Sequence, residues 1–591
     1  MSEEVKKKRK FEKKSKWWND FTEVIPNKEA KCNIDDCPEP KIVFNNKTTA
    51  LERHTKKYHN EKFKDIMKIT TIDKTFSNQE RKEISKYTVL MIIMENRPFD
   101  MINGKWYKLM MNKIQINWKP TDHKTFDNYL EEIYEEIYIE VKTELNDQIF
   151  FCQTSDGWKS QANDQYYSIN LHYINEKWKY CTINLGTVSI EEEHITGEAV
   201  SNEYLKLYAD FEIENTEIVE VIDGGPNLIK AAEKLNHLVL HCNNHALQLP
   251  INRGLEEVLE LKVHCSKIVR LFRQSGPALN KLKAAQLQNE SKKLVLIDDN
   301  ETRWNSFFLM IERVYKLKDD LNIAFDLIKK DKLIKTKLTN LTEENYKDIK
   351  LLIEFLEPFK IATKYFEETT SGTNISVSGM IPVIHNLLKH ITKFKNKELS
   401  EELKNMAEVV EEEITERWIN VDIMFYSTSF INPVFKKLKF LKESKIKEIK
   451  KFIQEQIELI KIEKDESSEE EVKEKKDKFK KLFGLELNEE EDEDSNELIN
   501  YDNELPQKFD IDVFKYWKSN TLKYPKLSVV ARKLLCLQGS SSDVERDNSF
   551  MGNMITEKRT NLKPEKICKM VFIKKNIRFS KYFKEYKKLF E

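Results

Sequence analysis

The sequence predicts an α+β multidomain protein dominated by helices, and three observations carry that reading. A chain of 591 residues is too long for one core, so several domains are expected. Gly (13) and Pro (14) are scarce and charged residues reach 34%, which favours long helices over all-β or Pro-rich architectures. The hydrophobic period is mostly helical, yet between about 149 and 242 it shortens to the alternation of strands. Lys plus Arg (99) nearly balances Asp plus Glu (100), so overall charge selects no partner. No apolar run approaches eighteen residues, which argues against a membrane span, and the N-terminus shows no apolar signal region. Eight cysteines are too few for a disulfide scaffold and point to a reducing compartment.

The balanced total conceals charge blocks. Residues 1–16 hold eight Lys/Arg against three Glu, and Glu486 to Asp494 holds seven acidic side chains in nine positions. Such runs repel themselves and bury little, so a disordered basic tail at 1–14 and a disordered acidic segment at 463–504 are expected. The run Lys6 to Lys10 suits a nuclear-import signal or a phosphate-contacting arm, and equally a solvated tail.

Cys32 and Cys37 are separated by four residues, and so are His54 and His59. Two thiolates from a short turn and two imidazoles near one helix face make a tetrahedral donor set for structural Zn²⁺. The competing reading is two buried thiols and two surface histidines. A segment this small cannot bury a sufficient core, so zinc would supply its folding energy. Trp18 and Phe21 precede the first cysteine, and Lys47, Arg53, Lys56 and Lys57 surround the helix. Over residues 15–62 this pattern resembles the BED-type zinc fingers of DNA-binding transposases and chromatin proteins, although the first Cys spacing is longer than usual. That resemblance implies binding of double-stranded DNA, with the four basic residues facing phosphates and groove edges.

Residues 63–148 read as helices, for example Lys86 to Met94 and Phe126 to Leu145. Ile149 to Gln153 then reads as a buried strand stopping at Asp156-Gly157. Segments 165–174 and 177–185 alternate, and the three together suggest an antiparallel meander. A helix is expected from His194 to Ala209, a strand ending in Asp223-Gly224-Gly225, a helix opened by Pro226, and a strand at 237–242. This β-β-β-α-β-α-β order is that of an RNase H-like domain. In that fold Asp156 and Asp223 converge at adjacent strand ends, as hard oxygen ligands suited to Mg²⁺ or Mn²⁺. Either Asp-Gly alone would read as a turn.

Five motifs in order make the chain resemble the hAT superfamily of transposases over most of residues 80–585: TSDGWKS, VIDGGPNLIKAA, HCNNHALQL, ETRWNSFFLM and the block from YWKSNTL to EKRTNL. The resemblance implies a D-D-E triad of Asp156, Asp223 and Glu545. It implies a DNA-positioning role for His245 and for Arg303 and Trp304, the last stacking on a displaced base; a buried histidine and a core Trp are the plain alternatives. Cys242 and His245 could form half of a zinc site, but suitable partner ligands are lacking, and a non-metal role is preferred. It further implies strand cleavage and joining with two divalent metals, dimerisation through the C-terminal region, and action in the nucleus.

The expected organisation is therefore a tail at 1–14, a BED-type finger at 15–62, a helical linker at 63–148, and the first part of an RNase H-like core at 149–245. An all-α insertion follows at 246–512, where Ile349, Leu352, Ile353 and Leu356 recur at helical spacing. Residues 513–591 form a C-terminal block that completes the core and supports homodimerisation, with Phe514, Trp517, Leu522 and Leu527 on its apolar face. The function expected is that of a DNA transposase. The alternative is a domesticated, catalytically silent zinc-finger regulator of transcription.

Overall fold

The structure is a computed structural model that describes residues 15–590, apart from 46, 64–65, 67–76, 115–121, 147, 161–162, 192–194, 301–303, 332–333, 335, 369–375, 420, 461–492 and 556–562. It divides into two units, residues 1–131 and 132–591. Among the described residues no helix is long and apolar enough to cross a membrane.

The first unit opens with a 3₁₀ turn, Lys16–Asp20. Strands β1 (Phe21–Ile25), β2 (Glu29–Cys32) and β3 (Lys41–Val43) follow as an antiparallel sheet in that order. Helix α1 (Thr49–Tyr58) closes it. The core beneath is only Trp17, Phe21, Ala30, Cys32, Ile42, Phe44 and Leu51, with Trp17 stacked on Phe63. A helix at Asn78–Met94 is started by a capping box in which Ser77 and Glu80 satisfy each other's backbone N–H groups.

The second unit is built on a five-stranded sheet with spatial order β6-β5-β4-β7-β8. Strands β4 (Phe150–Lys159), β5 (Gln165–Ile174) and β6 (Tyr180–Ile190) form the antiparallel meander. Helix α2 (Gly197–Phe211) leads to β7 (Glu217–Ile222), which pairs parallel to β4. Helix α3 (Pro226–Lys234) leads to β8 (Leu238–His241), parallel to β7. The periodicity therefore located each element within a few residues. One local expectation fails: the strand does not stop at Asp156-Gly157. Strand β4 continues to Lys159, with Asp156 paired to Ser168 and Gly157 to Tyr167. Gly157 is required there by crowding, since a Cβ would meet the Tyr167 ring at 2.9 Å.

Helix α4 (Asn243–Glu256) starts a long helical stretch whose members include Glu343–Glu367, α5 (Glu401–Ile419) and Glu443–Glu458. Their buried stripes, such as Ile349, Leu352 and Leu356, share one hydrophobic core with Phe150, Val219 and Leu240 of the sheet.

The expected disorder of 463–504 is corrected at its end, where residues 493–503 form helix α6 (Glu493–Asn503). Residues 461–492 lie outside the described residues. Two apolar side chains decide the matter. Leu498 and Tyr501 are buried, and the Tyr501 hydroxyl donates to the carbonyls of Phe430 (3.1 Å) and Ile431 (2.8 Å). Glu504 just beyond accepts from Tyr516 (2.6 Å) and Tyr524 (2.8 Å) and pairs with Lys523. Acidic composition predicts disorder only where nothing apolar is present to anchor it.

Tyr501→Ala should destabilise the second unit by about 3–5 kcal/mol, the range for large buried aromatics, measured by chemical denaturation. Burial opposes ionisation of Glu504, but the bonds from Lys523, Tyr516 and Tyr524 outweigh it and lower its pKa to about 2. A depressed carboxyl stabilises above its unfolded value near 4.5 and loses that contribution as pH falls toward 2. Glu504→Gln should flatten the acid limb of the stability–pH curve over that interval, and an unchanged limb would refute the assignment.

Candidate functional site

The first site is the Cys/His quartet. Cys32 ends β2, Cys37 lies in the loop to β3, and His54 and His59 sit on and just past α1. Cys32 Sγ lies 3.5 Å from His59 Nε2 and Cys37 Sγ 3.3 Å from His54 Nε2. One donor atom from each residue lies within 4.8 Å of the other three. A tetrahedral ion with ligands at about 2.0–2.3 Å spaces its donors by comparable distances. Burial first, then the neighbouring Cys37, pushes the Cys32 thiol up to about 11. One buried and one half-buried thiol facing two imidazoles are a donor set that a soft or borderline cation fits, because the cation would ionise them. Lys47, Arg53, Lys56 and Lys57 are all exposed around this helix.

The second site lies where β4 outruns β7. Their parallel pairing ends at Thr154 with Val221, so two residues further along each chain come Asp156 and Asp223. Asp223 heads the loop into α3, where Gly224 adopts φ +94 and the Gly225 N–H donates to Asp223 Oδ1 at 2.8 Å. Glu545 comes from α7 (Ser542–Met554), which packs on β4 and β5. Asn548, one turn further along the same helix face, donates to Asp156 Oδ2 at 2.7 Å. Burial, then the charges of Asp223 and Glu545, pushes Asp156 up to about 7 against the Asn548 bond. Asp156 is thus within electrostatic reach of both Asp223 and Glu545. Hard oxygens of this kind suit Mg²⁺ or Mn²⁺. Among the described residues they do not form a cluster as tight as the quartet.

What holds α7 in place is a set of residues that the sequence reading did not single out. Asp543 and Asp547 share the other face of α7. Asp543 accepts from Thr154 (3.0 Å) and Asn170 (2.7 Å) and pairs with His172 (3.2 Å). Burial works against its ionisation, and His172, Asn170 and Thr154 outweigh burial and hold its carboxyl below the usual range. Asp547 accepts from Asn170 at 2.9 Å and pairs with Lys575. The signal was present: Ser168, Asn170 and His172 put three polar side chains at period two on an otherwise apolar strand, and all three are buried. Such a row demands polar partners.

HCNNH is a clamp on the turn before α7. Cys242 Sγ accepts from the Ser541 N–H (3.4 Å), and Asn243 donates through its side chain to the Gly539 carbonyl (2.7 Å). Asn244 reaches Ser542 (3.2 Å), and Cys152 Sγ accepts from the Gln538 N–H (3.2 Å). Cys242 is thus engaged in a backbone bond rather than in a half zinc site. His245 is half-buried and lines a cavity of about 680 Å³ beside Asp223.

Arg303 lies outside the described residues. Trp304 is 3% exposed and packs edge-on to Phe308, the core placement that was the plain alternative to stacking. In the C-terminal block Phe514, Trp517 and Leu527 are buried, whereas Leu522 is 98% exposed and belongs to no core face.

Residues 495–577 match the family model described as the hAT family C-terminal dimerisation region, and residues 240–355 match the ZBED1 RNase-like helical domain. The chain is 23% identical over 523 residues to a putative AC transposase of Zea mays, covering 80% of this chain and 63% of that protein. It is 22% identical over 408 residues to the transposable element Hobo transposase of Drosophila melanogaster, covering 65% and 58%. It is 24% identical over 531 residues to the zinc finger BED domain-containing protein DAYSLEEPER of Arabidopsis thaliana, covering 82% and 72%. The chain thus spans somewhat less than two thirds of the length of the maize and fly relatives. Two matched regions in sequence order, together with these relatives and the N-terminal quartet, support an hAT-family, BED-type protein.

Proposed function

We propose that this chain is a DNA transposase that binds double-stranded DNA through its N-terminal finger and cuts and joins DNA strands at the sheet-end carboxylates. The observation that carries the reading is that the charges of Asp223 and Glu545, from distant parts of the chain, reach Asp156 and, after burial, raise its carboxyl. The strand order β6-β5-β4-β7-β8, with two parallel and two antiparallel pairings, supports an RNase H-like core. On this reading residues 149–245 and 513–591 make that core, 246–512 are its insertion, and 15–62 are the zinc finger. Zn²⁺ is held by Cys32, Cys37, His54 and His59. The likeness of 495–577 to a dimerisation region supports a homodimer, and a DNA substrate implies work in the nucleus.

Mg²⁺ or Mn²⁺ held by Asp156, Asp223 and Glu545 would supply Lewis-acid activation of a DNA phosphodiester. The protein's own part is to hold the carboxylates ready. Asn548 fixes Asp156 Oδ2, the Gly225 N–H fixes Asp223 Oδ1, and the Asp543 and Asp547 bonds fix the rotation of α7 and hence the side that Glu545 faces. Lys47, Arg53, Lys56 and Lys57 bind the duplex backbone.

Glu545→Gln, Asp156→Asn and Asp223→Asn should each lower cleavage of DNA carrying the element's terminal repeats by orders of magnitude while DNA affinity persists. Double variants should be no worse than singles, because the three act as one unit. Persistent cleavage in Glu545→Gln would remove the triad and leave a DNA-binding regulator as the account.

Raising a folded carboxyl's pKa makes its ionised form the costlier one, so stability from this site declines as pH rises from about 4 toward 7. Asp156→Asn should therefore raise the melting temperature of metal-free protein at pH 8. In the native chain, stabilisation by Mn²⁺ should grow between pH 5.5 and 7.5. A pH-independent Mn²⁺ effect would count against coordination at Asp156.

Zinc must displace thiol protons, so its affinity should climb steeply from pH 6 to 8 in chelator competition. Residues 12–64 should lose ordered far-UV circular dichroism with chelator and regain it with one equivalent of Zn²⁺. Identical spectra with and without metal would sink the structural-zinc assignment.

A further inference from the structure

The cavity beside Asp223 has contents that the cleavage chemistry does not use. One wall is the end of the sheet: Asp223, His241 at the end of β8, and His245 on the first turn of α4. The facing wall comes from the helical stretch about 170 residues later, chiefly Arg417 and Trp418 at the end of α5 and Phe425 beyond it. Helix α5 packs along α4, which brings these walls together. At about 680 Å³ the space lies within the 300–1,000 Å³ range of ligand sites.

Two imidazoles and a guanidinium converge on this space. The charge of Arg417 is the second cause, after burial, that lowers the His241 pKa, and His245 is the third, so these groups are within electrostatic reach. Arg417 is held in one orientation by Glu413, which accepts from its Nη2 at 2.9 Å. The other Glu413 oxygen lies 3.8 Å from Arg253 Nε, so that carboxylate is shared between two cations. A guanidinium has five N–H donors in a fixed fork, and a phosphate matches that fork better than a single point charge does. The second acidic residue on the wall, Asp422, is committed to a helix cap, accepting from the Met424 N–H at 2.8 Å. His241 also lies against Gly224, where a Cβ would come within 3.7 Å of its Nδ1. The basic groups thus stand directly beside the loop that carries Asp223.

We propose that Arg417 and His241 form a phosphodiester subsite, which receives a backbone phosphate of the DNA strand next to the one cut at the carboxylates. The subsite rests on the transposase reading for its role but not for its existence. Arg417 is its main anchor. Its position on the inserted helices makes them part of the substrate site, in addition to being a scaffold.

The test is histidine footprinting on the full-length chain. Diethyl pyrocarbonate modification of His241 is followed by peptide mass spectrometry, with and without a saturating twenty-base mixed-sequence single-stranded oligodeoxynucleotide. Severalfold slowing is expected in the native chain and in Asp223→Asn, and none in Arg417→Glu. Arg417 is solvent-exposed, so its replacement should leave the melting temperature nearly unchanged. Should Arg417→Glu fail to fold, Arg417→Gln and His241→Gln serve instead, each expected to weaken oligonucleotide binding severalfold, with the salt slope reduced by about one phosphate contact in Arg417→Gln and little changed in His241→Gln. Protection absent in the native chain, or unchanged in the Arg417 variants, overturns the subsite. Equal protection by inorganic phosphate alone overturns the strand reading in favour of a free-anion site. Metal-dependent cleavage without His241 protection removes the subsite and leaves the transposase reading standing. Arg417-dependent protection in a chain that never cleaves supports the subsite and removes the transposase reading.

Discussion

Everything at the sheet end depends on how residues 538–548 are docked onto strands β4 and β5, which precede them by nearly four hundred positions. No covalent link or local sequence preference brings α7 to β4 and β5. Buried hydrogen bonds do it: the backbone of Gln538 and Ser541 to two cysteine sulfurs, Gly539 to Asn243, and Asp543 and Asp547 to the polar row on β5. Each of these groups is costly to bury alone, by roughly 1–3 kcal/mol. Each is satisfied when α7 sits in one register. A hydrophobic interface would tolerate a slide by a turn, whereas this one leaves donors and carboxylates unpaired if the helix shifts. Directional bonding of this kind can hold a carboxylate on a remote helix in one orientation.

The same logic explains why the sheet is polar inside. On the opposite face of β4 and β7, Glu220 is fully buried. It accepts from Gln153 at 3.0 Å, pairs with His237 at 3.0 Å and is bonded by Ser155. Gln153 in turn accepts from Tyr208 of α2 at 2.7 Å. One strand pair thus fastens α2 on one side and α7 on the other, and side-chain alternation keeps the two networks apart. Rigidity of the central strands follows from having both faces specified, and Asp156 and Asp223 extend from these strands.

Much of this was legible in the sequence, and the exceptions have physical causes. Strands and helices between 149 and 242 could be read because period and length separate them cleanly, and the quartet could be read because metal ligands impose spacing. The strand was expected to stop at Asp156-Gly157, because Asp-Gly serves strand ends and crowded strand positions alike, and only Tyr167 distinguishes them. Trp304 was read from a motif as a base platform. The motif names the residue but not its solvent exposure, and seven neighbouring apolar residues in the same helix decide in favour of burial. The acidic stretch was read from its charge, while Leu498 and Tyr501 determined its end. Asp543, Asp547 and Asn170 escaped because their meaning lies in partners far away along the chain.

Charge placement around the sheet end follows from the burden of gathering acids there. A site with Asp156, Asp223 and Glu545 at its mouth, and Asp543 and Asp547 just behind, would repel a polyanion unless cations stood close by. The compensation is graded by depth. Asp543 and Asp547 are bonded internally, to His172 and Lys575. At the sheet end, burial and then the charges of Asp223 and Glu545 raise the Asp156 carboxyl. Basic groups instead gather to one side, at His241, His245 and Arg417, supplied partly by helices from a separate stretch of chain. Interior carboxylates that build the helix contact are bonded to His172 and Lys575, while Arg417 and the two imidazoles of the cavity stand to one side of Asp223. That asymmetry suits a site where a negatively charged strand must approach negatively charged groups, and a symmetric neutral cluster would not provide it.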